Sequence, residues 1–117
     1  MEILGDGTQC KPYIYVLDLV DTIIKLTKEF KPGENVYNLS VDSEGTTVTR
    51  IAEIVVEELG LKDVEFAYTG GDRGWKGDVP RFKYDISKVL STGWRPKYTS
   101  DEAVRQTVRD SVALFKG

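Results

Sequence analysis

The chain has 117 residues, 40% apolar and 30% charged, with a formal charge of −3, which fits one small soluble domain rather than a disordered segment. The acidic balance speaks against a nucleic-acid partner, and no apolar run reaches the ~20 residues of a membrane span. With no histidine, His-based triads and the usual His/Cys zinc sites are excluded, and the single Cys10 cannot form an internal disulfide and suits a reducing cytoplasm.

In chain order, a glycine-punctuated polar loop, Gly5 to Lys11, leads into residues 13–16, which read as a short buried strand. Residues 18–29 read as a helix that puts Leu19, Val20, Ile23, Ile24 and Leu26 largely on one face. Lys31, Pro32 and Gly33 stop it. Residues 35–39 read as a second strand, followed by a polar loop from Ser40 to Thr46. Val48, Ile51, Ala52, Val55, Val56 and Leu59 then recur at helical spacing. Thr46 or Thr47 can cap that helix, and Gly60 can end it in the left-handed conformation with Leu61 packing back.

Val64, Phe66 and Tyr68 alternate with Glu65 and Ala67, the pattern of a half-buried strand. Thr69 to Pro80 is a glycine-rich polar loop. Asp85 caps a short helix that runs through Leu90 and ends near Gly93. Ser100 caps the last helix, with Val104, Val108, Ser111, Val112 and Phe115 as its inner stripe and Asp101 and Glu102 at its positive end. The order of elements is that of an α/β fold: a small mixed sheet with about four helices, in one partial domain spanning residues 1–117. So little sheet implies that an edge or a face lies against something else, with self-association through an exposed edge as one outcome.

Lys11, Arg73 and Lys76 sit in glycine-containing loops near strand ends, where open α/β sheets line ligand crevices and a cation can hold a diphosphate. Tyr13 projects to the same side as Lys11, and Trp75 lies between Arg73 and Lys76, so a base or sugar could stack on either ring. From spacing alone, solvated loop charges are the favoured reading of the three cations, and Tyr13 and Trp75 also read as aromatics that fill the core or cover an apolar patch. Tyr84 and Lys88 match a Tyr-x-x-x-Lys spacing, but Asp85 reads as a cap there rather than as part of a catalytic pair. Asp42, Glu44, Asp72 and Asp78 fit no metal loop of fixed ligand order. No Gly-x-Gly-x-x-Gly follows a strand, and no P-loop is present.

Two strings carry a family resemblance. GDGTQCKPYIYVLDLV (residues 5–20) resembles the Gly-x-Gly-x-Gln-x-Arg-x-(Tyr/Phe)-(Ile/Val)-x-Val-x-Asp segment of extended short-chain dehydrogenases, the NAD-dependent nucleotide-sugar epimerases and dehydratases. GGDRGWKGDVPRFKYDISKVLSTGWRP (residues 70–96) resembles that family's second signature. The resemblance covers nearly the whole chain, in order, and is closest to the UDP-glucose 4-epimerase type.

It implies the C-terminal, substrate-binding portion of such an enzyme, without the Rossmann half, its NAD fingerprint or its catalytic Tyr-Lys pair. It implies a UDP-sugar as ligand and NAD as cofactor of the complete enzyme, but no cofactor, metal or catalytic residue in this chain. By position, Gln9 and Tyr13 lie near the nucleotide, and Lys11 stands where the family has a diphosphate-binding Arg. By the resemblance Arg73 is the second diphosphate clamp, with Trp75 or Lys76 as competing alignments, and Asp78 lies near the ribose or orients the basic loop. Lys11 lacks the planar guanidinium fork, so weaker phosphate binding is implied. Two other readings stand beside this one. One is a self-standing nucleotide-sugar-binding or self-association module, and the other is the same portion of a nucleotide-sugar 4,6-dehydratase.

Overall fold

A computed structural model describes residues 1–28, 33, 36–41, 45–71 and 84–116. Among these, the α/β class holds, with four helices and little sheet. The strands are β1 (Glu2–Ile3), β2 (Cys10–Lys11), β3 (Thr46–Thr47) and β4 (Ala67–Tyr68). The helices are α1 (Val16–Lys28), α2 (Val48–Leu59), α3 (Ser87–Leu90) and α4 (Ser100–Lys116). The mixed strand directions are divided between two ladders. β1 pairs parallel with β4, Glu2 opposite Ala67, and β2 pairs antiparallel with β3, Lys11 opposite Thr46.

The reading of α2 matches its structure at both ends. Thr47 is the N-cap, and its hydroxyl accepts the Arg50 N–H at 3.1 Å. Gly60 adopts φ 64°, and the Gly60 and Leu61 amides return to the Glu57 and Val56 carbonyls. The Leu61 side chain does not pack back, however, and stays largely exposed. α3 is anchored by Asp85, whose Oδ1 accepts both the amide and the hydroxyl of Ser87.

Three readings need correction. Residues 13–16 form no strand: 12–15 are irregular and α1 begins at Val16. Pro12 has no N–H, the Tyr13 N–H goes to the Ser100 hydroxyl, and the Tyr15 carbonyl accepts the Leu19 N–H, so these groups are not available to a ladder. Ser100 does not cap α4. Thr99 does, in a reciprocal capping box with Glu102. Residues 36–39 keep the alternation of a strand, with Tyr37 and Leu39 turned inward, but belong to no ladder among the described residues.

α1 also departs from its reading. It begins two residues early, and the residues it buries are Asp18, Thr22 and Leu26. Val20, Ile23 and Ile24 face outward together with Val16 and Leu17. Asp18 is held inside because its carboxylate accepts the Lys97 amide at 3.0 Å, and the Thr22 hydroxyl bonds the Asp18 carbonyl at 2.7 Å. The inner side of α1 thereby joins Leu26 to Ile86, Val89 and Trp94 in the core cluster.

α2 and α4 form the other packed unit. Ile54, Ala52, Ala103 and Val104 are buried there. The predicted α4 stripe holds at Val104, which is buried, and at Val108 and Val112, which are half-buried, but not at Ser111, which is exposed, or at Phe115, which is 87% exposed. The radius of gyration is 16.8 Å, against about 13 Å expected for this length, and the shortest extent is 19 Å. A slab that thin holds two layers of elements with little interior between them.

Candidate functional site

The polar loop between β1 and β2 is built onto the start of α2. The Val48 and Thr49 amides, which a helix start leaves free, donate to the Gln9 and Gly7 carbonyls at 3.0 and 3.2 Å. Gly5 donates to the Thr69 hydroxyl, and Gly70 donates back to the Gly5 carbonyl. Asp6 accepts the amide and hydroxyl of Thr8, closing a local turn. Gly7 (φ +80°) passes so close to Thr49 and Tyr68 that a Cβ there would lie 2.2 Å from the Thr49 hydroxyl. The loop is therefore a fixed platform, and it closes the α2 N-terminus to any anion.

Gln9 is 2% exposed, beneath the loop. Its Nε2 donates to the Leu4 carbonyl at 2.9 Å, and its Oε1 has no partner among the described residues. Lys11 lies on β2 opposite Thr46 and is half-buried. Tyr13 lines an apolar hollow of about 410 Å³ with Ile14, Val16, Ile51, Val104 and Val108. The structure thus brings Gln9, Lys11 and Tyr13 onto one continuous segment, with Gln9 inward. Arg73, Lys76 and Asp78, like Trp75, Asp42, Glu44 and Asp72, lie outside the described residues.

Sequence reasoning missed what holds this segment in place. The Tyr13 N–H donates to the Ser100 hydroxyl at 3.0 Å, Ser100 and Thr46 share a 2.7 Å hydrogen bond, and Thr46 donates to Asp101 at 2.6 Å. The signal available was Ser100 and Asp101 at a helix start, which reads first as a cap. Below it, the Tyr15 hydroxyl donates to Asp110 and its ring meets Tyr98 edge-on at 5.3 Å. That hydrogen bond to a carboxylate pushes the Tyr15 phenol up to about 12 and holds Asp110 below its ordinary value.

Among the described residues no group of His, Cys, Asp and Glu could hold a metal. No helix among them is long and apolar enough to cross a membrane. The Lys88 ammonium, four residues after Tyr84, lies 4.6 Å from the centroid of the Tyr37 ring, a cation–π contact. The Val48 and Thr49 amides at the α2 start are taken up by the loop and are not offered to a phosphate. The described residues form a braced loop that carries a cation, Lys11, and an aromatic, Tyr13.

No family model matches the chain. The dTDP-glucose 4,6-dehydratase of Haemophilus influenzae is 30% identical, over 93% of this chain and 34% of that protein. GDP-L-fucose synthase 1 of Arabidopsis thaliana is 31% identical, over 90% of this chain and 31% of that protein. A crystal structure of UDP-galactose 4-epimerase superposes with a TM-score of 0.73 at 33% identity, covering 91% of this chain and 34% of that one. A dTDP-glucose 4,6-dehydratase of Bacillus anthracis in complex with NAD shares the fold with a TM-score of 0.75 at 23% identity. The chain spans about a third of the length of the curated relatives it matches.

Proposed function

The chain matches a part, about a third, of the extended short-chain dehydrogenases/reductases, and from this we propose that it is the C-terminal, substrate-binding portion of a UDP-glucose 4-epimerase-like enzyme. The observation that supports it best is the agreement of the braced loop with the resemblance. The residues that resemble the family's nucleotide-binding segment form a loop whose backbone is held at both ends. Such a loop presents Lys11 without first having to be ordered, which lowers the entropy cost of gripping a diphosphate. In this reading Gln9 supports the loop from beneath through Leu4. Lys11 meets the diphosphate, Tyr13 meets the nucleotide, and Arg73, Lys76 and Asp78 complete the site from the second loop.

These 117 residues carry no dinucleotide fingerprint, so turnover in this reading needs the rest of such an enzyme, and no catalytic step is assigned to this chain. NAD belongs there to the other two thirds. The reading carries a cytoplasmic setting, to which one cysteine and no disulfide are suited. The dehydratase reading is favoured by the Haemophilus relative, and the two differ in nucleotide.

The test is an amide NMR titration of the chain with UDP, UDP-glucose and dTDP. Saturable shifts at Gln9–Tyr13 and Arg73–Asp78, tighter for UDP than for dTDP, are expected. Preference for dTDP favours the dehydratase reading. A dispersed spectrum that none of the three ligands perturbs removes the substrate-binding role and leaves a self-association module as the better account.

A further inference from the structure

Thr46 belongs to two structures at once. Its backbone stands opposite Lys11 in the antiparallel β2–β3 pair. Its side chain is buried, and its hydroxyl is the middle link between Ser100 and Asp101, at 2.7 and 2.6 Å. Opposed residues of an antiparallel pair share a face, with Cβ atoms about 4.5–5.5 Å apart, so the Thr46 and Lys11 side chains stand side by side. Ser100, at the near end of the link, accepts the Tyr13 N–H at 3.0 Å. Lys11 and Tyr13 are thus tied to one buried hydroxyl, the first through the ladder and the second through Ser100. Pro12, between them, has a fixed φ. The far end of the link is anchored as well. Asp101 lies 3.5 Å from Arg50 Nε, and Arg50 is held by Glu53 and Glu57 of its own helix.

We infer that Thr46, with Ser100 and Asp101 behind it, is a positioning residue for a nucleoside diphosphate: it touches no phosphate itself, and it sets where Lys11 and Tyr13 stand when one binds. This rests on the proposed reading of residues 9–13 as a nucleotide-binding segment. A lysine grips phosphate as a point charge on a flexible four-carbon stem, so the part of it that can be ordered in advance is its backbone. The Thr46 hydroxyl supplies that order because it both donates and accepts, which fixes Ser100 as the acceptor for the Tyr13 amide. Valine at this position is close to threonine in shape and suits a strand, but it leaves Ser100 and Asp101 without their shared partner. Serine keeps the hydroxyl. The role therefore belongs to the hydroxyl rather than to the shape of the side chain.

The test is isothermal titration calorimetry of the 117-residue chain with UDP, on the wild type and on Thr46→Val, Thr46→Ser, Asp101→Ala and Val89→Ala. Thr46→Val is expected to weaken binding about fivefold, and Thr46→Ser to keep most of the wild-type affinity. Asp101→Ala sits at an exposed helix position and is expected to weaken binding about threefold, which keeps the proposal open to refutation even where Thr46→Val does not fold. Val89→Ala opens a cavity in the separate core cluster, and is expected to lower the melting temperature with the affinity unchanged. Lys11→Ala should cost less in the Thr46→Val background than in the wild type, because both act through one contact. Affinity that simply follows melting temperature, Val89→Ala included, overturns the proposal in favour of a purely structural role, as does full additivity of Thr46→Val with Lys11→Ala. A wild type that does not bind UDP removes the substrate reading and this role with it. A wild type that binds, and loses affinity in Lys11→Ala but not in Thr46→Val or Asp101→Ala, removes the positioning role alone.

Discussion

The hydroxyls of Thr46 and Ser100 lie 2.7 Å apart, both buried, and their neighbours dictate which one donates. The Asp101 carboxylate can only accept, so Thr46 gives its proton to Asp101 and must accept from Ser100. Ser100 in turn accepts the Tyr13 N–H. A directed chain of hydrogen bonds thus runs from the Tyr13 backbone to the first turn of α4, where a carboxylate is also favoured by the helix dipole. Ser100→Ala leaves the part-buried Tyr13 amide and the Thr46 lone pair without this partner. The expected loss is about 1–3 kcal/mol in urea denaturation, with amide shifts in NMR concentrated at residues 11–15.

Gly45 and Gly7 are expected to tolerate alanine worse than Gly71. Both have positive φ, and a Cβ on Gly45 would lie 2.2 Å from the backbone of Lys11, which is pinned in the β2–β3 ladder. At Gly7 the nearest atom is the Thr49 hydroxyl, which can rotate away. Gly71 has φ +79° but open space around it. Gly71→Ala should therefore cost only the left-handed backbone penalty, about 1–2 kcal/mol, with Gly7→Ala worse and Gly45→Ala worst. Thermal denaturation of the three variants checks that order.

Tyr15 and Asp110 make stability depend on pH at both ends of the scale. The Tyr15 phenol is raised from 10.0 to about 12 by its hydrogen bond to Asp110. Its contribution is complete below pH 10 and is lost as the pH rises from 10 through about 12. Asp110 is depressed below 3.8 by the same bond and by Gln106, so its contribution is present above that value and lost as the pH falls through the lower, folded value. Tyrosinate absorbance should show one phenol titrating late, and Tyr15→Phe should remove that late step.

The α2–α4 crossing is held by charges that salt and acid should both weaken. Arg105 reaches Glu57 at 2.6 Å and Glu58 at 2.7 Å, and Arg109 meets Glu58 at 3.0 Å. The hydrogen bond from Arg105 lowers the Glu57 carboxyl, and those from Arg109 and then Arg105 lower Glu58. Their contribution is present above 4.5 and lost as the pH drops below it. Arg105→Met should flatten the melting temperature between pH 6 and pH 3 and reduce its dependence on salt.

Lys11 offers a point charge where a planar fork binds phosphate better. If the binding segment acts as proposed, Lys11→Ala should weaken UDP binding about tenfold, and Lys11→Arg should strengthen it a few-fold. Isothermal titration calorimetry of the three proteins measures this directly. An unchanged affinity across the series removes Lys11 from the site.

The sequence by itself determined what depends on near neighbours. The start and end of α2, the Asp85 anchor of α3, the α/β class and the family motifs were all legible, because caps, turns and helical spacing act over a few residues. Gln9, Lys11 and Tyr13 could be placed on one segment for the same reason. Only the tertiary structure decided which side of α1 turns inward, since two sides of that helix could pack. The contacts that choose between them, Asp18 with Lys97 and Leu26 with Trp94, come from residues some seventy positions away. Tertiary contacts also turned residues 13–16 from an expected strand into a connection, because Ser100 and the first turn of α1 take the hydrogen bonds a ladder needs. The apolar excess that made α1 read as a core helix is real, but most of it faces outward, because burial depends on what the rest of the fold supplies to cover it.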